Sequence, residues 1–262
     1  DRLKRMFNDE YEVKNELYAG DISFIGSMYN EKHNLYDRLC GVNDYTKGYL
    51  DAIMKVQRSI YGYFFLEDML KGDVLDEMMR VCPVKPNEDG VETVQYVYAN
   101  YFLARRMATD ERTDILSRVG RELGRENKIN LYTPDASVRF INVNNKGTVD
   151  YYNEMPYVFR NSRINLNITL RSIKSGIPLR CMDICGAGGF LLSNYQADLY
   201  DVFVPGEDMV IYDSIDDLMN KCKYYLSHDA ERRQIAQNGF GKIEEKHTYD
   251  VRFEEIFNRV FN

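Results

Sequence analysis

Between Ser175 and Asn194 the chain reads Ser-Gly-Ile-Pro-Leu-Arg-Cys-Met-Asp-Ile-Cys-Gly-Ala-Gly-Gly-Phe-Leu-Leu-Ser-Asn, and no other stretch restricts the fold as much. Pro178 suits the first position of a helix, where its missing N–H goes unnoticed, and Gly186 suits the residue just past a helix end. Leu179, Met182 and Ile184 give the short helix partial apolar support. Arg180 and Asp183, three residues apart, share one of its faces. After the glycines, Phe190-Leu-Leu192 reads as a buried strand. Free backbone N–H groups gather at helix N-termini, so a glycine turn followed by a short helix also offers a place to an anion.

The rest of the chain repeats the alternation. Asp21–Ser27 is an apolar run ending in Gly-Ser, the pattern of a buried strand meeting a loop. Ile129–Thr133 is a strand closed by Pro134, and Val138–Val143, Ile164–Thr169 and Met209–Tyr212 read as further strands. Asn30–Arg38 looks helical, and from Ser214, whose side chain can cap with Asp217 three residues on, the chain is helical to its end. Strands alternating with helices predict a parallel, doubly wound sheet with ligands at the carboxyl ends of its strands. One block breaks the pattern. From Cys40 to Glu126 the periodicity is helical, with stripes through Tyr49, Ile53, Val56, Ile60, Tyr61 and Phe64 and through Val94–Val119. Residues 40–126 therefore read as a helical insertion into a domain made of residues 1–39 and 127–262.

Charge and cysteine content exclude several classes. A net charge of −7 argues against nucleic acid as the main partner, because phosphate backbones call for a basic face. Five irregularly spaced cysteines fit a reducing cytoplasm better than a disulfide framework. No run approaches the roughly 20 apolar residues that span a bilayer, and no signal peptide is visible. Position 1 is Asp rather than Met, which points to a trimmed piece of something longer.

Five segments then carry a resemblance: Asp21-Ile-Ser-Phe-Ile-Gly-Ser27, Ile164-Asn-Leu-Asn167, Arg180-Cys-Met-Asp-Ile-Cys-Gly186, Gly189-Phe-Leu-Leu192 and His247-Thr-Tyr-Asp-Val-Arg252. Together they resemble the carboxyl-terminal half of spore-maturation-type glycosyltransferases, a GT-B, family 1-like group built from two Rossmann-like domains. The resemblance implies an α/β chain with a Rossmann-like doubly wound parallel sheet, half of a GT-B fold, plus a helical insertion. It implies a cytoplasmic donor-binding domain that serves sugar transfer from a nucleotide-sugar in cell-surface polysaccharide or glycoconjugate synthesis. The acceptor-binding amino-terminal domain would be missing, leaving the chain inactive alone.

Site residues follow from the same likeness. Gly26 and Ser27 occupy the loop that approaches the donor diphosphate, where Lys32 could supply a cation. Tyr132 and Thr133 end the strand whose tip meets the nucleobase. Asp183 stands where relatives carry a Glu that binds the ribose, and Arg180 could reach phosphate as a forked donor. Asn167 and Gly186 complete the donor-binding set. Relatives often place a sugar-holding Glu upstream, where this chain has Lys174-Ser-Gly176, so no catalytic residue is assigned and retaining chemistry is in doubt. No metal or other cofactor is expected, because helix dipoles and Arg or Lys can neutralise the leaving diphosphate.

Bland readings stand beside these. Arg180 and Asp183 could form a simple intrahelical ion pair, and Gly186, Gly188 and Gly189 could serve close packing alone. Asn165 and Asn167 put amides on one strand face, for a cleft or for structural hydrogen bonds. Cys181 and Cys185 fit small buried hydrophobes better than metal ligands. His33 and His247 fit surface or capping roles better than a base. Two rival functions are an adenosylmethionine-dependent methyltransferase, which needs Leu179–Ile184 as a strand and Phe190–Tyr200 as a helix, and a non-catalytic binding module. Finally, Phe253, Ile256, Phe257, Val260 and Phe261 form one apolar face on a last helix. That face either packs on its own domain or awaits the missing half, which would leave it open to homodimer contacts.

Overall fold

Six strands form one sheet in a computed structural model that describes residues 11–30, 34–88 and 90–261. After helix α1 (Tyr11–Tyr18) they are β1 (Gly20–Ile25), β2 (Ile129–Tyr132), β3 (Val143–Asn145), β4 (Ser162–Asn167), β5 (Leu191–Asn194) and β6 (Val210–Tyr212). All pair in parallel, in the order β3-β2-β1-β4-β5-β6. The order reverses once, between β1 and β4, which is the Rossmann-like arrangement. A doubly wound α/β sheet is thus what the alternation produces.

Register separates the two faces of this sheet. One rung reads Leu131–Phe24–Leu166–Leu192–Val210, and all five side chains are buried. The neighbouring rung reads Asn144–Asn130–Ser23–Asn165–Leu191, and the next on that face pairs Asn167 with Ser193. Side chains alternate across a pleated strand, so one face is apolar and the other carries a ladder of amides and hydroxyls. Two helices cover the polar face: α7 (Met155–Asn161) supplies the Phe159 carbonyl that accepts from Asn165 Nδ2 at 2.9 Å, and α8 (Leu179–Gly186) supplies Cys181 Sγ, 3.4 Å from Asn167 Nδ2. Ser23 Oγ donates to Asn165 Oδ1 at 2.8 Å. Around these bonds Met155, Phe159, Cys181, Ile184, Cys185 and Leu191 form a dry cluster.

Local details differ from the sequence expectations for identifiable reasons. Asn142 adopts a left-handed conformation at φ +56°, which interrupts the extended run expected over Val138–Val143 and leaves β3 to begin at Val143. Among the described residues of the helix expected over Asn30–Arg38, Leu35–Leu39 forms a 3-10 turn capped by Asn34. Pro178 is the N-cap of α8, with ψ 130°, rather than its first helical residue. Gly186 is the last residue inside that helix, and Gly188, at φ +78°, takes the left-handed position that ends it. Leu179–Gly186 as helix and Leu191–Asn194 as strand are the reverse of what the methyltransferase reading requires.

The chain divides into two compact units. A sheet unit comprises Asp1–Gly26, Ser117–Ile168 and Gly176–Asn262; a helical unit comprises Ser27–Leu116 and Thr169–Ser175. The helical unit contains α2 (Asp44–Arg58), α3 (Leu66–Met69), α4 (Gly72–Val81) and α5 (Val94–Val97). A π-helical stretch, Tyr98–Leu103, continues α5 without a break into α6 (Ala104–Leu123). Leu50, Ile53, Leu66, Met78, Tyr98, Phe102 and Leu103 form the core of this unit. Beside them lies a buried ion pair: Arg171 Nη2 donates to Glu111 Oε1 at 2.7 Å. Burial pushes the Glu111 carboxyl upward, opposed by Arg171 and then by Arg58 and Arg112.

After β6 come α9 (Ile215–Ser227), α10 (Asp229–Lys246) and α11 (Tyr249–Phe261), all in the sheet unit. Ser214 caps α9 by accepting from the Asp217 N–H at 3.0 Å, as its spacing foretells. On α11 the rings of Tyr249, Phe253, Phe257 and Phe261 follow one another at 6.0–6.2 Å. All four are exposed, along with Ile256 and Val260. No helix among the described residues is long and apolar enough to cross a membrane.

Candidate functional site

The helix α8 follows β4 in the chain and presents Arg180 and Asp183 from one turn. They do not pair with each other. Asp183 Oδ1 accepts the Tyr151 hydroxyl at 2.9 Å, while Arg180 Nη1 donates to Met155 Sδ and its guanidinium lies over the Phe159 ring at 5.3 Å. The intrahelical ion pair is therefore replaced by two separate sets of contacts. Asp183 Oδ2 has no hydrogen-bond partner among the described residues. Burial raises the Asp183 carboxyl above its ordinary range, with the Tyr151 hydroxyl and Arg180 acting against the shift. Tyr151 is pushed up to about 12, first by burial and then by its bond to Asp183. Burial also lowers Arg180, less offset by Asp183 and Tyr151.

Tyr151 is the residue that sequence reasoning missed. It sits in a turn organised by Asp150, whose Oδ1 accepts from the Tyr152 and Asn153 N–H groups at 3.1 and 2.7 Å. Glu154 closes the turn by accepting from the Asp150 N–H at 2.7 Å. An Asp followed two and three residues on by free amides is an Asx-turn signature, so the signal was present in Asp150-Tyr-Tyr-Asn-Glu154. What the signature could not tell is that the turn delivers a hydroxyl to a carboxylate 32 residues away.

The remaining candidates fall into different surroundings. The Gly26 N–H donates to the Tyr132 carbonyl at 3.0 Å, so its donor is already engaged. Tyr132 itself is buried and belongs to a cluster with Tyr18, Tyr157 and Val158; burial pushes its hydroxyl up to about 12. Thr133 is buried, and its Oγ1 has no hydrogen-bond partner among the described residues. Asn167 is buried, with Nδ2 donating to Ser193 Oγ at 3.0 Å as well as to Cys181. Gly186 packs toward α10, where an added Cβ would lie 3.4 Å from Ile243. Gly189 has even less room: a Cβ there would stand 2.6 Å from the Phe159 carbonyl. Ser27 lies in the helical unit, where its Oγ accepts from the Tyr29 N–H at 2.9 Å. Lys32 and His33 lie outside the described residues. Among the described residues no hydrogen bond joins the Gly26–Tyr132 pair to Arg180 or Asp183.

The other chemistry-bearing side chains are structural. Cys181, Cys185 and Cys222 are free, buried thiols, and burial raises each of them. His247 Nδ1 lies 2.5 Å from Arg252 Nη2, and burial depresses its pKa. Among the described residues no three His, Cys, Asp or Glu side chains gather where a metal ion could be held.

Comparison with known proteins gives a family for the chain. The family described as Glycosyl transferase-like matches residues 105–258, more than half of the 262-residue chain. A crystal structure of TarM is similar at a TM-score of 0.45 and 16% sequence identity, over 56% of this chain and 32% of TarM's. The chain thus spans about a third of the length of that protein. No curated protein matches the chain.

Proposed function

The chain belongs to the glycosyl transferase-like family, and from that premise we propose that its sheet unit binds the nucleotide of a nucleotide-sugar donor, with Asp183 accepting hydrogen bonds from the ribose. One observation carries the reading. On a helix that follows β4, next to the reversal of strand order where open α/β sheets take ligands, a half-buried carboxylate is held through one oxygen by Tyr151 while the other has no partner among the described residues. Arg180, one turn earlier and without a carboxylate ion pair among the described residues, supplies a forked donor for phosphate. Thr133 Oγ1, orphaned at the end of β2, supplies a further polar contact for the base.

The likeness of the five sequence segments supports a narrower assignment to the donor-binding half of a spore-maturation-type GT-B enzyme, in which the helical unit is an insertion. On that reading the chain is cytoplasmic, serves cell-surface polysaccharide or glycoconjugate synthesis, and transfers no sugar without an acceptor-binding domain. The exposed ring ladder of α11 would then be covered by that domain or by a second copy. The protein's charge of −7 also favours small phosphorylated ligands over nucleic acid.

Calorimetry with uridine and guanosine diphosphates tests the central point. Asp183→Asn is expected to weaken binding by about 1–3 kcal/mol with the fold intact. Unchanged affinity would remove Asp183 from the site. In the wild type, binding should weaken on acidification, and should begin to do so above the ordinary Asp range. The folded-state pKa is raised, so Asp183 takes up its proton at a higher pH than a solvated Asp and loses the acceptor that the ribose needs.

A further inference from the structure

A ligand that reaches Asp183 must also meet the turn that holds it. Residues 150–154 are fixed from both ends. The Asp150 carbonyl accepts from the Glu154 and Met155 N–H groups at 3.1 and 2.9 Å, and Glu154 Oε1 accepts the Tyr18 hydroxyl of α1 at 2.7 Å. Within the turn the rings of Tyr151 and Tyr152 stand at right angles, their centroids 4.9 Å apart. Tyr151 gives its hydroxyl to Asp183, yet the residue is 44% exposed, and Tyr152 is exposed as well. Leu179, four residues before Asp183 and on the same face of α8, is 74% exposed. Apolar surface thus opens to water on the turn and on the helix, beside one half-buried carboxylate, and covering that surface would be favourable.

A carboxylate selects hydroxyls, and an exposed ring beside it selects a flat group attached to them. A hydroxyl bonded to Asp183 Oδ2 lies within about 8 Å of the Tyr151 oxygen, by ordinary hydrogen-bond lengths. Whatever the bound sugar carries is then within reach of the Tyr151 ring, and a nucleoside carries a base. We propose that Tyr151 has two roles in this site: its ring stacks on the base of the bound nucleotide, and its hydroxyl aims the Asp183 carboxylate, with Tyr152 as a side wall. The inference rests on the reading of Asp183 as the ribose acceptor and gives the base a surface of its own. Every base has a π-face, so the platform serves pyrimidines and purines alike and leaves the choice between them to groups at the base edge. Because the turn is already fixed and the hydroxyl already bonded, little ordering remains to be done on binding. The hydroxyl also favours the charged form of Asp183, as does Arg180. The nearby Cys181 thiol stays neutral, since burial pushes it up to about 12.

Calorimetry of the full chain with uridine diphosphate separates the two roles. Tyr151→Phe keeps the ring and removes the hydroxyl, whereas Tyr151→Leu removes both. The Leu variant should bind about 5- to 150-fold more weakly than the Phe variant, the range that one stacked base contributes. By NMR, the uracil ring protons should move upfield on binding to the wild type and to Tyr151→Phe, and far less on binding to Tyr151→Leu. In Tyr151→Phe the loss of binding on acidification should begin at a higher pH than in the wild type. Asp183 has then lost a donor that favours its charged form, so it takes up its proton sooner. A side chain that merely supported the turn would leave that profile where it is. Equal affinities of the Phe and Leu variants, or no upfield shift in the wild type, overturn the platform; an unmoved pH profile overturns the aiming role. Should Tyr151→Leu fail to fold, the proton shifts in the wild type decide the ring's role. Weakened binding in Asp183→Asn beside wild-type binding in both Tyr151 variants would sink this inference and leave the ribose contact standing. No binding by the wild type would end both.

Discussion

The sheet unit and the helical unit bury polarity in different ways. In the sheet unit the buried polar side chains are largely neutral, stacked in rungs from Asn130 through Ser23 to Asn165 and from Asn167 to Ser193. Most of their donors bond to one another or to main-chain carbonyls, while Asn130 Oδ1 has no partner among the described residues. Its buried charges each pair with a partner that reaches water: Asp208 with Lys242, Arg232 with Asp229. In the helical unit both ends of the Glu111–Arg171 pair are only 4% exposed. A hydrogen-bonded amide costs little to bury, whereas a buried ion pair recovers its desolvation only when every lone pair and proton is matched. Neutral ladders are therefore the cheaper way to bury polarity, and the Glu111–Arg171 pair the costlier one.

That contrast can be broken most directly at Glu111. Glu111→Ala leaves Arg171 buried and uncompensated, and urea denaturation should register a loss of about 3–5 kcal/mol. A loss below about 1 kcal/mol would mean that the pair is no more buried in effect than a surface one. In the sheet unit the largest response should come from packing rather than charge. Gly189→Ala puts a Cβ 2.6 Å from the Phe159 carbonyl and 2.8 Å from Asn165 Nδ2, which should cost about 1–3 kcal/mol. It should also disturb the amide ladder, visible as faster hydrogen exchange in β4. Smallest of all should be Lys242→Met, since Asp208 keeps the Val204 N–H at 2.8 Å and its lost partner lies near solvent. A change of about 1 kcal/mol or less is expected, and a larger one would erase the distinction between the units.

Much of the sheet was legible because parallel strands are short apolar runs bounded by punctuation: Gly26 after β1, Pro134 after β2, the glycines before β5. The Ser214 cap was legible because its partner lies three residues away. Contacts distant in sequence were not. Nothing in Ile164-Asn-Leu-Asn167 distinguishes an amide facing a ligand from one facing the Phe159 carbonyl, since both sit on the same pleat. Arg180 and Asp183 share a helical face, yet Met155 and Tyr151 take them in different directions. The Glu111–Arg171 pair spans 60 residues, and Arg171 reads locally as one more cation in a polar loop.

The π-helical stretch Tyr98–Leu103 changes how the helix beyond it can be counted. Each π turn holds more residues than the 3.6 of an α turn, so the stretch absorbs about one residue and resets the angular phase of everything downstream. Tyr98, Ala99, Phe102 and Leu103 are all buried within it. Beyond it Met107, Glu111, Arg112, Ile115 and Leu116 turn inward as well. A single-residue deletion here would restore the α turn and leave Glu111 facing Arg171, whereas one made in the α-helix beyond it would turn Glu111 away by about 100°. The stretch is thus a place where the chain can change length by one residue while the side chains beyond it keep their direction.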